Sequence, residues 1–248
     1  MKAAAVDFQG VSFSHEDGTP VLDGLTLSVA PGEVVSLLGR SGAGKSTVLR
    51  LVNRMLLPTR GSVIVEGADT REWDPIRLRR RIGYVLQDGG LFPHMTVADN
   101  VGVVPRLEGW APHETEARVR TLLAMVGLPP ERFATRWPSE LSGGQRQRVG
   151  VARALAVDPP VLLMDEPFGA LDPITRAELQ QETARLQQAL HKTVLLVTHD
   201  VEEALLLSDR VCILEDGRVQ ACVDVAAFDH ADDPVIAALR DARLRRNR

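Results

Sequence analysis

Apolar and polar positions alternate in short runs over residues 3–30, through VDFQGVSF and then VLDGLTLSV, with the turn-forming EDGTP between them. A period of two broken by glycine and proline predicts antiparallel strands with one wet face. The pattern changes at VVSLLG (34–39), which is nearly all apolar and runs into a glycine-rich turn and then KSTVLRLVNRM. That is the signature of a buried parallel strand feeding a helix. GSVIVEG (61–67) and RIGYVLQ (81–87) predict two more strands.

From about 93 to 157 the periodicity becomes helical. HETEARVRTLLAMVGL places Val119, Leu122, Leu123 and Val126 on one stripe, and Gly127 is positioned to end the helix. Strand patterns return at VLLMDE (161–166), TVLLVTHD (193–200) and VCILEDG (211–217). Between the first two, DPITRAELQQETARLQQAL opens with Asp172 as N-cap and Pro173 at the first helical position. The expectation is one α/β domain of mainly parallel sheet with an N-terminal antiparallel β subdomain. Residues 1–87 and 158–222 form the core, 88–157 a helical insert and 223–248 a short helical, basic tail. No internal repeat or low-complexity segment interrupts this layout.

Bulk chemistry narrows the classes. A chain of 248 residues with 44% hydrophobic and 25% charged residues has the mix of a globular protein with a sizeable core. A net charge of −4 argues against a nucleic-acid partner held on a basic surface. The basic clusters at 77–81 and 243–248 read as solvated faces or ends. Two cysteines cannot build a disulfide framework or a four-ligand zinc site, and Cys212, inside the apolar VCIL, reads as a buried reduced thiol. The opening MKAAAVDFQG meets an acidic residue too early for a signal peptide, and no apolar run approaches the roughly 18 residues of a membrane span. The chain is therefore expected in the cytoplasm, with room to sit on a membrane component.

GRSGAGKST carries the first chemistry. Gly39, Arg40, Ser41, Gly42, Ala43, Gly44, Lys45, Ser46 and Thr47 fit G-x-x-x-x-G-K-[ST], between a buried strand and a helix. Such a loop curls its N–H groups round phosphates, with Lys45 reaching the β- and γ-phosphates and the Ser46 hydroxyl ligating Mg²⁺. Asp165 ends an apolar strand, where open α/β sheets place their ligands, and suits the metal; Glu166 suits a general base for water. Gln87 and His199 also end strands, and His199 is expected beside the γ-phosphate. Ser142, Gly143, Gly144 and Gln145, in LSGGQ, form a second helix entrance fit for a phosphate, but without a lysine.

Taken in order, GRSGAGKST, Gln87, LSGGQ, VLLMDE, GALD (169–172) and His199 resemble the ATP-binding-cassette ATPases, over essentially the whole chain. The resemblance implies ATP and Mg²⁺ as cofactors and a head-to-tail pair of cassettes, here a homodimer. ATP on the Lys45 loop of one would be covered by Ser142–Gln145 of the other, with Asp172 lying across the interface. It implies that Gln87 contacts Mg²⁺ or the attacking water, and that the 88–157 insert receives a helix from a permease, touching Leu91, Phe92 and Met95. In that family an aromatic residue stacks on adenine near the end of the first strand. Here His15 stands there, and a regular strand is expected to turn Phe13 to the opposite face.

RRRIGYVLQDGGLFPHMTVADNVGVVP and LLMDEPFGALDPITRAELQ look most like the ATPases of bacterial importers for quaternary-amine osmoprotectants such as glycine betaine or choline. That likeness implies a peripheral protein on the cytoplasmic face of the membrane, served indirectly by a substrate-binding protein. Many relatives carry a C-terminal pair of sensor domains, which the stretch after residue 222 is too short to hold; this argues against ionic-strength regulation through the subunit. DNA-repair cassettes would bring coiled-coil or zinc-bearing insertions, translation cassettes a second P-loop, and a P-loop kinase has no use for LSGGQ. A soluble cassette serving iron–sulfur cluster assembly stays open as the alternative.

Overall fold

The computed structural model describes residues 4–246; residues 1–3 of the N-terminal reading and 247–248 of the basic tail lie outside the described residues. In chain order the elements begin β1 (Val6–Ser14), β2 (Pro20–Val29), β3 (Val34–Leu38), α1 (Lys45–Val52), β4 (Arg60–Val65), β5 (Ala68–Asp69) and α2 (Pro75–Arg81). Then come β6 (Ile82–Val85), α3 (Val97–Leu107), α4 (Pro112–Met125), α5 (Pro130–Phe133), α6 (Gly143–Ala154), β7 (Val161–Asp165) and α7 (Pro173–Leu190). The chain ends with β8 (Thr193–Thr198), α8 (Val201–Leu207), β9 (Arg210–Glu215), β10 (Arg218–Asp224) and α9 (Pro234–Arg246). They form two compact units, one built from the chain up to Arg79 and from His191 onward, the other from Arg80 to Leu190.

The first unit holds two sheets. One has the order β2-β1-β4-β5, antiparallel throughout. Its alternation is imperfect for a physical reason: the register slips between Phe8 and Val11, where Gly10 takes φ 59°, and the slip returns Val11 and Phe13 to the buried face. The other brings β10, β9, β3 and β8 side by side. β3 and β8 are buried along their full length, as largely apolar parallel strands are when both faces are covered.

The cysteine reading is corrected here. Cys212 is buried, but it is bonded to Cys222 rather than reduced. The sequence patterns stopped at EDG, whereas β10 follows that turn and pairs antiparallel with β9, setting Cys212 opposite Cys222 with their Cα atoms 4.1 Å apart.

In the second unit β6 and β7 pair in parallel, Ile82 with Val161 through Val85 with Met164. The stripe expected on α4 is buried at Val119, Leu122 and Leu123. Gly127, at φ 70°, donates to the Ala124 carbonyl while Leu128 donates to Leu123, the paired bonds that close a helix on a left-handed residue. Among the described residues no helix is long and apolar enough to cross a membrane.

Candidate functional site

The phosphate loop lies between β3 and α1, as its pattern requires. A Cβ on Gly39 would overlap the Leu214 carbonyl oxygen, and one on Gly44, which takes φ 97°, would sit 2.8 Å from Leu22 Cδ2. Only glycine fits at either position, so the backbone keeps the curl that turns N–H groups inward. Lys45 is buried, and its Nζ donates to the carbonyls of Gly39 (2.7 Å) and Arg40 (3.0 Å). An ammonium already held at the loop's mouth is placed for an incoming polyphosphate. Arg40, Ser41 and Gly42 are exposed, while Ser46 and Thr47 are half-buried in the first turn of α1. These residues suit a Mg²⁺–nucleotide: a curled backbone and a lysine for phosphate, and a hydroxyl, a hard oxygen donor, for the metal.

β8 brings His199 to the same end. Leu38 pairs with Thr198, so Gly39 and His199 leave neighbouring strands at the same level. His199 is exposed, followed at once by Asp200, whose carboxylate accepts from the N–H groups of Glu202 (2.9 Å) and Glu203 (3.3 Å) and starts α8.

His15 is exposed in the β1–β2 turn, where its N–H donates to the Thr19 carbonyl (2.9 Å). The expectation for Phe13 is overturned: its ring meets His15 edge-on, with centroids 5.5 Å apart and planes at 83°. The buried Phe13 thus supports His15, just past the end of β1, from beneath rather than pointing away.

In the second unit β7 ends at Asp165, whose carboxylate accepts from the Tyr84 hydroxyl (3.3 Å). Glu166 follows with φ 45°, a left-handed conformation that costs a non-glycine residue about 1 kcal/mol. Gln87 stands two residues beyond β6. Its Nε2 lies 3.1 Å, and Glu166 Oε2 3.6 Å, from where a Cβ on Gly169 would be, so both side chains converge on one glycine.

Ser142 caps α6 reciprocally: its hydroxyl accepts from Gln145 N–H (3.3 Å), and its own N–H donates to Gln145 Oε1 (3.0 Å). The first turn of α6 packs on the turn before α7, where Asp172 accepts from Thr175 N–H (3.1 Å). Those Thr175 bonds, hydroxyl first and N–H second, hold the exposed Asp172 carboxyl below its ordinary value. Arg176 donates to the Leu171 (3.2 Å) and Gly169 (3.4 Å) carbonyls and fixes the turn from the other side.

Several supporting residues escaped sequence reasoning. Gln147, buried in α6, donates to the Leu86 carbonyl (3.1 Å), and Arg153 donates to the Gly89 (2.8 Å) and Gly90 (2.7 Å) carbonyls. Burial lowers the Arg153 guanidinium pKa. A Cβ on Gly150 would lie 2.9 Å from Gly89 Cα. The loop after Gln87 is thus seated on the helix that LSGGQ opens, and the glycine inside that helical run was the available signal. Asn100, fully buried, accepts from Phe92 N–H (2.7 Å) and donates to the carbonyls of Phe92, Met95 and Thr96. It holds a compact loop with Phe92 exposed and Leu91 and Met95 half-buried.

Comparison with known proteins bears on the family and the fold. The ABC transporter family model matches residues 22–169. The choline transport ATP-binding protein OpuBA of Bacillus subtilis is 47% identical over 211 residues, 85% of this chain and 55% of the relative. The osmoprotectant import ATP-binding protein OsmV of Salmonella typhimurium is 48% identical over 85% of this chain and 56% of its own length. The glycine betaine uptake system ATP-binding protein YehX of Escherichia coli is 45% identical over 84% of this chain and 69% of its own length. The chain spans about half the length of the first two of these relatives. Among solved structures, the cassette MJ0796, a dimer bound to ADP and Pi, matches with a TM-score of 0.79 at 36% identity over 89% of this chain and 98% of that one. The cassette cbiO1 of Clostridium perfringens matches with a TM-score of 0.83 at 29% identity over 99% and 97%. The fold is therefore the α/β ABC ATPase fold expected from the sequence.

Proposed function

The chain belongs to the ABC transporter family, and from that premise we propose that it hydrolyses ATP as the cytoplasmic-face ATPase subunit of a bacterial importer for a quaternary-amine osmoprotectant. One observation carries the enzymatic part. The chain offers two glycine-fronted helix entrances for phosphate, and only the one at Gly39–Thr47 has a lysine. An entrance without a cation holds nucleotide poorly by itself and serves best as the lid over ATP bound to a second copy.

In this reading Lys45 and the loop N–H groups hold the phosphates, and Mg²⁺ shields their charge when bound. The Ser46 hydroxyl, the Gln87 amide oxygen and the Asp165 carboxylate are the oxygens that suit the metal. Glu166 accepts a proton from the attacking water, and Gln87, converging on the same glycine, orients that water. His199 holds the γ-phosphate, His15 lies against adenine, and Asp172 reaches across the homodimer. ATP favours the closed pair and hydrolysis releases it. Phe92, with Leu91 and Met95 beside it, presents the contact to the permease, and a substrate-binding protein acts at one remove. The relatives' names support the cargo class: choline for OpuBA and glycine betaine for YehX. They favour import over the iron–sulfur assembly alternative.

Mixing a Lys45→Ala chain with a Ser142→Arg chain tests the lid. Each alone is expected to be nearly inactive, while the mixture recovers about a quarter of wild-type ATPase activity, because random pairing makes half the dimers mixed and each mixed dimer has one whole site. A mixture no more active than its components would rule out a lid supplied by the second copy.

A further inference from the structure

We propose that the Cys212–Cys222 bridge is a site of reversible thiol–disulfide exchange that sets the nucleotide affinity of the phosphate loop, with a dithiol as its reductant. The inference rests on the reading of Gly39–Thr47 as an ATP site.

Three observations within one unit carry it. The first is access: Cys212 is buried, whereas Cys222 is exposed on β10, the outermost strand beside β9. A thiolate therefore meets the Cys222 sulfur first. The second is a register slip next to the bridge. β10 slips against β9 between Val219 and Ala221, and Cys222 lies in the paired stretch Ala221–Asp224 that follows, so the covalent link locks that stretch to β9 right after the slip.

The third is what the hairpin touches. On β9 the Leu214 carbonyl packs against Gly39, the first glycine of the loop, with no room for a methyl group between them. At the hairpin turn, the Gly217 carbonyl accepts from Asp23 N–H (3.0 Å), and Arg218 pairs with the Asp23 carboxylate. A Cβ on Gly217 would lie 2.5 Å from the Val21 carbonyl oxygen. Val21 and Leu22 in turn close on Gly44, the last glycine before Lys45. One cross-linked hairpin thus supports both ends of the phosphate loop, directly at Gly39 and through β2 at Gly44.

The exchange balances. One reductant thiolate attacks the Cys222 sulfur, the bridge breaks, and Cys212 leaves as a thiolate that takes up a proton. The second reductant thiol then displaces Cys222, so two electrons reduce the protein and the reductant departs as its own disulfide. With the bridge open, β10 is held to β9 by its backbone pairs alone, the turn sits less firmly against β2, and the loop loses rigidity that phosphate binding must then restore.

The full chain carrying Glu166→Gln, which slows turnover, is titrated with Mg-ATP by calorimetry before and after treatment with dithiothreitol, with free thiols counted at each stage. The expected result is no free thiol before treatment, both after it, and ATP affinity about fivefold weaker in the reduced form. Cys222→Ser should bind ATP like the reduced chain whether or not dithiothreitol is present. Equal affinity in the two redox forms would overturn the proposal, as would free thiols in the untreated protein or a bridge that resists dithiothreitol until the chain unfolds. Absence of ATP binding in both forms would instead sink the ATP-site reading.

Discussion

Gly144 and Thr175 approach so closely that a Cβ on the glycine would lie 2.5 Å from the threonine Cγ2. Gly143 lies in ordinary contact beside Leu171, its Cβ position 3.5 Å from Leu171 Cδ2. The first turn of α6 and the turn that leads into α7 are thereby seated on one another. In the proposed dimer these two segments of one subunit face the partner's nucleotide, so their fit sets how the lid meets ATP.

Gly144→Ala should therefore displace the lid without touching the phosphate loop. Thr175 is short and β-branched and cannot swing its methyl aside freely. We expect ATPase activity to fall about tenfold to a hundredfold, as an ångström-scale misplacement does, with ATP affinity of the monomer unchanged. Adding Thr175→Ser removes the colliding methyl group and should restore most of the loss. Wild-type turnover by Gly144→Ala, measured by phosphate release, would mean that the contact does not position the lid.

Arg153 makes the corresponding argument for the loop after Gln87. Its guanidinium forks onto the Gly89 and Gly90 carbonyls and lies 5.8 Å from the centre of the Phe92 ring. Arg153→Ala strips both carbonyls of a charged donor, a loss of about 2–3 kcal/mol. For a domain of this size that lowers the melting temperature by about 4–12 °C. Arg153→Lys keeps the charge but not the fork and should recover less than half of the loss. A melting curve for Arg153→Ala that overlays the wild type would show that the bonds hold nothing.

How far the sequence reached depended on how local each signal was. The largely apolar β3, β7 and β8, the phosphate loop and the Ser142 helix entrance are written in contiguous residues, and their local structure was legible. Gly127 ended α4 as its position required. What escaped was made by residues distant along the chain. Gln147 and Arg153 matter only because α6 lies under the loop at 86–90, and Asn100 only because the 91–96 loop folds back on it. The bridge to Cys222 went unread because a strand of mixed polarity, RVQACVD, lacks the alternation that marks β1 and β2. The expectation for Phe13 assumes a regular strand through His15, but β1 ends at Ser14 and the chain turns there, which brings the two rings together.

That correction sharpens the expectation for His15. Supported edge-on by Phe13, its ring is held on an exposed turn with a face available to a purine. Tyrosine offers a wider π-surface on the same support, and a better aromatic contact of about 0.5–1.5 kcal/mol corresponds to about two- to tenfold tighter binding. Calorimetric titration of His15→Tyr with ATP should show that gain. Unchanged affinity would remove His15 from the nucleotide site.

Asp172 gives a prediction in pH. The Thr175 hydroxyl and N–H hold its carboxyl below the ordinary value of 3.8, so the folded chain prefers the ionised form more than the unfolded chain does. A carboxylate with a depressed folded-state pKa stabilises fully above its unfolded value and loses that contribution as pH falls through the folded one. The melting temperature of the wild type should therefore exceed that of Asp172→Ala by a constant margin above about pH 5. The margin should narrow in acid as the carboxyl protonates and its bond to the first turn of α7 weakens. Because the group is exposed, added salt should reduce the charge-dependent part of that margin. A margin that stays level from neutral pH to pH well below 3.8, or that widens in acid, would mean that the cap does not act through the ionised carboxylate.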